Sequence, residues 1–316
     1  MRSRLMIVAA VAIAAACVAF AVTQSVSSSS GLALAGTSLP TGQASYLGVY
    51  ERPSHTYQPV AEFASVVGKQ PNLVGYYSGW KESFQTRFAE AVHAHGAVTI
   101  VQMDPTYASI PKIAAGGYDG YLRSYADSVR RFGQPVVIGF GHEMNAPWYS
   151  WGYQQTSPVA FVAAWRHIVT LFRGQGAGNV TWLWTLQADE PGTGPIASWW
   201  PGAQYVTWVG IDGYYYRHSD TFATVFGKTI TQVRSFTGKP VLLSETAVGP
   251  EAGQFAKIQD LFHGMAKYKT LGLVWFDKPQ HGGLYHQDWR IEDNVQAEIS
   301  FRLGVRDELA PYRPGS

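Results

Sequence analysis

Gln134-Pro135-Val136-Val137-Ile138-Gly139-Phe140-Gly141-His142-Glu143 opens on a turn signal, continues as an apolar run and ends in a His-Glu pair. No polar residue alternates through 135–141, so the segment reads as a strand buried on both faces. A carboxylate at the C-terminal end of such a strand has no packing reason to be there. About 100 residues further on, Pro240-Val241-Leu242-Leu243-Ser244-Glu245-Thr246 repeats the arrangement. Both strands begin after a turn of the Gly-x-Pro kind, Gly133-Gln134-Pro135 and Gly238-Lys239-Pro240, so the two ends of each strand differ sharply in chemistry.

With these two included, the pattern predicts eight strands: Tyr46–Glu51, Leu73–Tyr77, Ala97–Met103, Pro135–Gly141, Val180–Thr185, Val206–Ile211, Pro240–Ser244 and Gly272–Phe276. Amphipathic stretches of helical length lie between them, at Glu82–His95, Tyr118–Phe132, Pro158–Arg173, Phe222–Phe236 and Gln254–Lys269. The first two carry acidic residues early and Arg or His late, as the helix dipole favours. Pro158 sits where a first-turn proline belongs. Pro195–Trp200, after the fifth strand, has room for one helical turn. Eight alternations without a second composition zone predict one (β/α)8 barrel, the TIM barrel of the α/β class. A doubly wound open sheet is the runner-up, but it calls for a Gly-rich phosphate loop after the first strand. Glu51-Arg52-Pro53-Ser54-His55 stands there instead.

The N-terminus has its own logic. Met1-Arg2-Ser3-Arg4 precedes an apolar run from Leu5 to Val22, the pattern of an export signal. Ala33-Leu34-Ala35 offers a small-x-small cleavage site before Gly36, which sets the expected signal peptide at 1–35, a flexible leader at 36–45 and the catalytic domain at 46–316. An uncleaved anchor is the competing reading, because Leu5–Val22 is long enough to span a bilayer. The only cysteine, Cys17, lies in this segment. Segment 1–35 holds two Arg and no acidic residue, so of 24 basic groups 22 remain against 22 acidic ones. A neutral chain disfavours nucleic acid and an anionic membrane surface as partners, leaving the N-terminal segment as the one membrane contact to expect. A monomer is the default. Eleven Trp and 18 Tyr supply the flat, polar-tipped area that stacks on sugars, and equally a dense core.

In a barrel the site forms at the C-terminal strand ends. Taken in order these are Glu51, Trp80, Gln102 with Asp104, His142 with Glu143, Gln187, Asp212 with Tyr214, Glu245, and Trp275 with Asp277. Two strand-end carboxylates among aromatics are what glycosidic bond cleavage requires, one as proton donor and one as nucleophile or base.

The run Gly141-His142-Glu143-Met144-Asn145, followed by Trp148-Tyr149 and Trp151-Gly152, resembles the acid/base motif of glycoside hydrolase family 26. Trp208-Val209-Gly210-Ile211-Asp212-Gly213-Tyr214 and Leu242-Leu243-Ser244-Glu245-Thr246 are similar to that family's sixth-strand and nucleophile motifs, and the likeness runs from about Leu47 to Asp293. It implies endo-β-glycanase activity, foremost on β-1,4-mannan, by a retaining double displacement with Glu143 as acid/base and Glu245 as nucleophile. It further implies that His142, Trp148, Tyr214, Gln102 and Trp80 meet substrate or order the pair, with Trp275 as the stacking floor under the reacting sugar. Two departures stand out. Ala146 occupies the family's usual Gly position, and Val101-Gln102 stands where mannanases of the family often carry Trp-His, which weakens mannan as substrate without touching the hydrolytic pair.

Duller readings stand beside these. Glu143 and Glu245 can be structural carboxylates paired with a cation such as Lys278, and Trp148, Tyr214 and Trp275 can be packing residues. Asp212 reads as structural, orienting Tyr214 or capping a loop. Trp151, Trp184, Trp199 and Trp200 divide evenly between loop core and outer sugar platforms. No cofactor motif is present. His93 and His95 do not share a helical face, no His-Glu-x-x-His motif exists, and no metal is expected. His281, Tyr285, His286 and Asp288 form a cluster that suits a cleft loop better than a metal site. Ser244 lacks the Gly-x-Ser-x-Gly elbow of a serine hydrolase. A non-catalytic sugar-binding barrel, a β-1,3/1,4-glucanase and a hydrolase of a cell-envelope polysaccharide are the alternative functions.

Overall fold

A computed structural model describes residues 39–54, 56–250, 253–279 and 287–310. The N-terminal segment 1–35 with Cys17, and His281, Tyr285 and His286, lie outside them. No helix of the described residues is long and apolar enough to cross a membrane. Eight strands, β1 (Tyr46–Tyr50), β2 (Leu73–Gly79), β3 (Val98–Asp104), β4 (Val136–Phe140), β5 (Val180–Gln187), β6 (Trp208–Tyr215), β7 (Val241–Val248) and β8 (Gly272–Trp275), close into a barrel in chain order. All pairings are parallel, and β8 closes on β1 through Tyr46↔Gly272 to Val49↔Trp275. Every strand expected from the apolar runs is present, and the fold is a (β/α)8 barrel.

The helices are α1 (Gln58–Val67), α2 (Thr86–Ala94), α3 (Ile110–Ala114), α4 (Asp119–Phe132), α5 (Pro158–Gly174), α6 (Lys228–Phe236), α7 (Gln254–Lys267) and α8 (Val295–Glu308). Local chemistry sets their ends. Ser157 caps α5 by accepting from the Ala160 N–H at 3.2 Å, with Pro158 just inside. Asn294 caps α8 in the same way, accepting from the N–H groups of Gln296 and Ala297. Gly133, at φ 72°, ends α4 in the left-handed conformation behind Arg130 and Arg131. After β5 no α-helix forms; the short segment winds into 3-10 turns at Ile196–Trp199 and Ala203–Tyr205.

Alternation along the strands sorts side chains into two cores. Tyr46, Leu73, Val98, Ile100, Val137, Leu183, Trp208, Leu242 and Val274 fill the barrel interior. Val49, Val74, Val101, Ile138, Trp184, Ile211 and Trp275 face the helices with Phe63, Leu122, Trp165, Ile230, Phe262 and Phe301. Gly75 lets the Tyr50 ring cross the interior: a Cβ there would lie 2.5 Å from that ring. The strand pairing is irregular at one place. On β6 and β7 the register runs Gly210↔Leu242 and then Asp212↔Glu245, so β7 carries one extra residue, and β8 sees the same slip between Leu243 and Thr246. This is a β-bulge, and it turns both Ser244 and Glu245 toward the barrel mouth.

The closure is tightest at a backbone contact. Gly272 adopts φ 147°, and a Cβ on it would sit 1.9 Å from the Tyr46 carbonyl oxygen. Gly272→Ala is therefore expected to cost about 2–3 kcal/mol by overpacking a backbone contact that cannot yield, read in thermal melts as a Tm drop of several degrees.

Candidate active site

Glu143 lies just beyond β4, on backbone that a side chain rarely adopts. Its φ is 53°, after Gly141 at 56°. The loop around it is fastened at several points. The Glu143 N–H donates to the Thr185 carbonyl at 3.0 Å, and its own carbonyl accepts from the Ala146 N–H at 2.9 Å. Asn145, fully buried, exchanges two hydrogen bonds with the Gln187 backbone at 2.8 and 2.9 Å. The Trp151 indole donates to the His142 carbonyl at 2.8 Å. Met144 and Ala146 complete the buried underside. The strained turn is thus held by β5 and by the loop's own side chains, and it aims the carboxylate over the barrel.

Glu245 arrives from the bulge of β7. The Tyr214 hydroxyl on β6 donates to its Oε1, and the Tyr77 hydroxyl on β2 donates to Oε2 at 2.7 Å. Two phenols from opposite walls thereby hold both oxygens of one carboxylate. Tyr77 stacks on Tyr50 with centroids 4.8 Å apart and lies 5.4 Å from the His142 ring. Sequence reading missed Tyr77. The signal was there, since Leu73, Gly75 and Tyr77 share the inward parity of β2, but a strand-end Tyr carries no motif.

One carboxylate oxygen from each of Glu143, Asp212 and Glu245 lies within 4.8 Å of the other two, all three residues being buried. Burial pushes the Glu143 carboxyl up to about 7; the His142 ring opposes this, and the nearby Glu245 charge adds to it. The Trp148 indole N–H, on a half-exposed side chain at the cleft rim, donates to Glu143 Oε2 at 2.6 Å and favours the ionised form. His142 packs between Tyr77 and Tyr149, its Nδ1 2.8 Å from Asp104 Oδ1 and its Nε2 3.1 Å from the Tyr149 hydroxyl. Burial alone would lower the imidazole; the Asp104 carboxylate outweighs it and lifts the ring to about 10. A protonated His142 donates at Nδ1 and gives the site one cation beside three carboxyl groups. Among the described residues no Lys or Arg pairs with Glu143 or Glu245, and Lys278 binds Glu51 at 3.0 Å instead.

Three expected contacts fall elsewhere. Trp275 does not form a stacking floor: it points outward from β8, fully buried, with its indole donating to the Trp289 carbonyl at 2.9 Å and its ring edge-on to Phe301 of α8. Phe276, of opposite parity, faces inward and meets Tyr214 edge-on at 6.0 Å. Trp80 likewise faces outward, among Tyr118, Tyr121 and Phe140. Gln102 does point inward, but it is buried in the floor and donates to Thr185 Oγ1 at 3.0 Å. Trp184 and Trp199 are core; Trp151 is buried, and Trp200 packs at 5.0 Å on Trp184. Asp288 pairs with Arg290 at 2.6 Å.

A carboxyl whose pKa is higher in the folded than in the unfolded chain binds more protons in the native state. Stability therefore falls as pH rises from the unfolded value of 4.5 through about 7. Glu143→Gln, which mimics the protonated acid, is expected to be more stable than the native chain by roughly 2–3 kcal/mol above pH 7. That gain should fade to nothing near the unfolded value, as Tm measured against pH will show.

Residues 97–299 match glycosyl hydrolase family 26. Endoglucanase H of Acetivibrio thermocellus is 26% identical over 263 residues, covering 78% of this chain and 29% of that protein. A β-1,3-xylanase of a Vibrio species is 23% identical over 212 residues, covering 63% of this chain and 44% of its own length. The chain thus spans less than half the length of these curated relatives. Among solved structures, the catalytic domain of an endo-β-1,4-mannanase from Bacillus sp. JAMB-750 superposes with a TM-score of 0.65 at 17% identity, covering 86% of this chain and 89% of that one. A Bacillus subtilis mannanase gives 0.63 at 18%, covering 89% and 90%. These structures share the barrel described above. With a match over most of its length and two strand-end glutamates meeting over that barrel, the chain belongs to glycosyl hydrolase family 26.

Proposed function

We propose that the protein is an exported, retaining endo-β-glycanase that cleaves β-1,4-mannan. The observation that carries the mechanism is the approach of two buried carboxylates in opposed environments: Glu143 under an indole donor with a raised pKa, and Glu245 held by two phenolic hydroxyls. A separation within 4.8 Å leaves no room for the water that an inverting enzyme places between its carboxyls, which needs about 6.5–9.5 Å. Glu245 attacks the anomeric carbon while Glu143 gives its proton to the leaving oxygen. The C–O bond to the leaving sugar breaks as the C–O bond to Glu245 forms. Glu143, now a carboxylate, then takes a proton from water, which attacks the same carbon and frees Glu245. Trp148 offers a face at the rim, and His142 lines the cleft beside the acid. Phe276 supplies the inward apolar surface assigned from sequence to Trp275.

Mannan is favoured by the mannanase structures that share the fold. A second reading, β-1,3/1,4-glucan, is favoured by the endoglucanase match over 78% of the chain, while Gln102, standing where mannanases of the family often carry Trp-His, weakens mannan. Export rests on the Arg-flanked apolar segment at 1–35, with the catalytic unit at 46–316.

Reducing-end release from mannans, glucomannan, mixed-linkage glucan, β-1,3-glucan and xylans tests the substrate. Glu143→Ala is expected to lower kcat by about 10²–10⁴-fold on polymer, and Glu245→Ala to abolish turnover. Full activity in Glu245→Ala would end the paired-carboxylate mechanism. Because Glu143 must be protonated for the first step, kcat/KM should decline above about pH 7. Trp148→Phe removes a donor to the ionised form, so that alkaline limb should move to higher pH by up to about one unit.

A further inference from the structure

Asp212 is the third carboxyl of the site, and neither the fold nor the hydrolytic pair gives it work. It is 1% exposed, against 7% for Glu143 and 8% for Glu245. Like Glu143, it has a single hydrogen-bonding donor. Ser244 Oγ lies 2.5 Å from Oδ1, while Oδ2 is buried and has no hydrogen-bond partner. Glu245 has two hydroxyl donors and Glu143 an indole N–H. An ionised carboxylate offers about four acceptor sites, and a buried charge with one donor is strongly disfavoured.

The groups that face Asp212 do not relieve this. Glu245 comes from β7 and Glu143 from the loop after β4. The phenols of Tyr50, Tyr77, Tyr149 and Tyr214 come from β1, β2, the β4 loop and its own strand. The one nearby cation among the described residues, His142, has its two ring nitrogens on Asp104 and Tyr149. Three carboxyl groups with oxygens within 4.8 Å of one another, away from water, cannot all be ionised.

We propose that Asp212 is a neutral carboxylic acid in the working enzyme, donating its proton to Ser244 Oγ, and that it acts as a positioning residue that leaves Glu245 the anion beneath the reaction centre. Protonation turns the orphaned Oδ2 into a neutral carbonyl, which tolerates isolation far better than a charge. The bulge in β7 serves the same end, because it presents Ser244 to Asp212 and Glu245 to the two tyrosines from adjacent positions. Burial, followed by the Glu245 and Glu143 charges, holds the Asp212 carboxyl well above the usual range; His142 opposes it, as would a Ser244 hydroxyl that donated to the ionised form. The charge count then stays level through the first step. Glu143 becomes an anion as it releases its proton, and Glu245 loses its charge to the glycosyl bond, so the floor carries one negative charge before and after. An ionised Asp212 would add a second throughout.

The kinetic arm of the test rests on the proposed roles of Glu143 and Glu245; the spectroscopic arm needs no turnover. At about pH 8.5, above the range in which Glu143 titrates, the native protein should show the infrared carbonyl stretch of a protonated carboxylic acid, and Asp212→Asn should lack it. Asn has the same shape and its amide donates to Ser244 in place of the acid. Asp212→Asn should therefore keep kcat/KM within about threefold and leave the pH profile in place, whereas Asp212→Ala should lose tenfold or more. An acid band missing from the folded native protein overturns the proposal without any variant. So does a band that survives in Asp212→Asn, or an Asp212→Asn enzyme that loses activity as Asp212→Ala does. An Asp212→Asn enzyme with the band removed and no substrate hydrolysed in either form would count against the hydrolytic reading alone.

Discussion

Like charges brought close together away from water repel far more strongly than they would in bulk, and Glu143, Asp212 and Glu245 meet under that condition. The surroundings of the three follow from the need to divide their protons unequally. Glu245 receives hydroxyls from Tyr77 and Tyr214. Glu143 is desolvated and has a single indole donor. The His142–Asp104 pair brings positive charge close without placing a Lys or Arg that would quench the acid. Each arrangement draws on a different strand of the barrel, so barrel closure precedes the chemistry.

That closure is built from side-chain size. Inward positions mix glycines with Tyr46, Tyr50 and Trp208, and these aromatics cross the interior where small neighbours leave room; Tyr46 and Trp208 meet at 5.0 Å. The result is a solid floor beneath the carboxyl groups, which shuts water out from the barrel side. The outer layer between strands and helices is larger and supports the strands from outside. Trp275 belongs to this layer, where its ring ties β8 to α8.

Membership in the family places the chemistry more firmly than the sugar. The relatives include an endoglucanase and β-1,3-xylanases beside mannanases. Substrate choice in this architecture belongs to the rim, whereas the carboxyl floor is common. In this chain the floor has Gln102 bound to Thr185 and a phenol from β2 on the carboxylate of β7.

The strands and five of the helices were legible because they are written in local pattern, whereas α1, α3 and α8 were not singled out. Short runs rich in Val, Ile, Leu and aromatics marked all eight strands, and the run into His142-Glu143 and the run into Glu245 marked the two carboxylates. Facing was not legible in the same way. Trp275 and Phe276 are neighbours, and choosing between them needs the parity of a four-residue strand, which its register against β1 and β7 decides. The extra residue in β7 is invisible as composition, since a bulge is defined only by two partner strands. Tyr77 and Glu245 stand 168 residues apart, and only a closed barrel brings them to 2.7 Å. Periodicity and turn chemistry are local, so the amino-acid order was enough to set the elements and the reactive residue types. Which side chains share the floor, and where its protons reside, was left to the folded barrel, because facing and desolvation arise from contacts between distant strands.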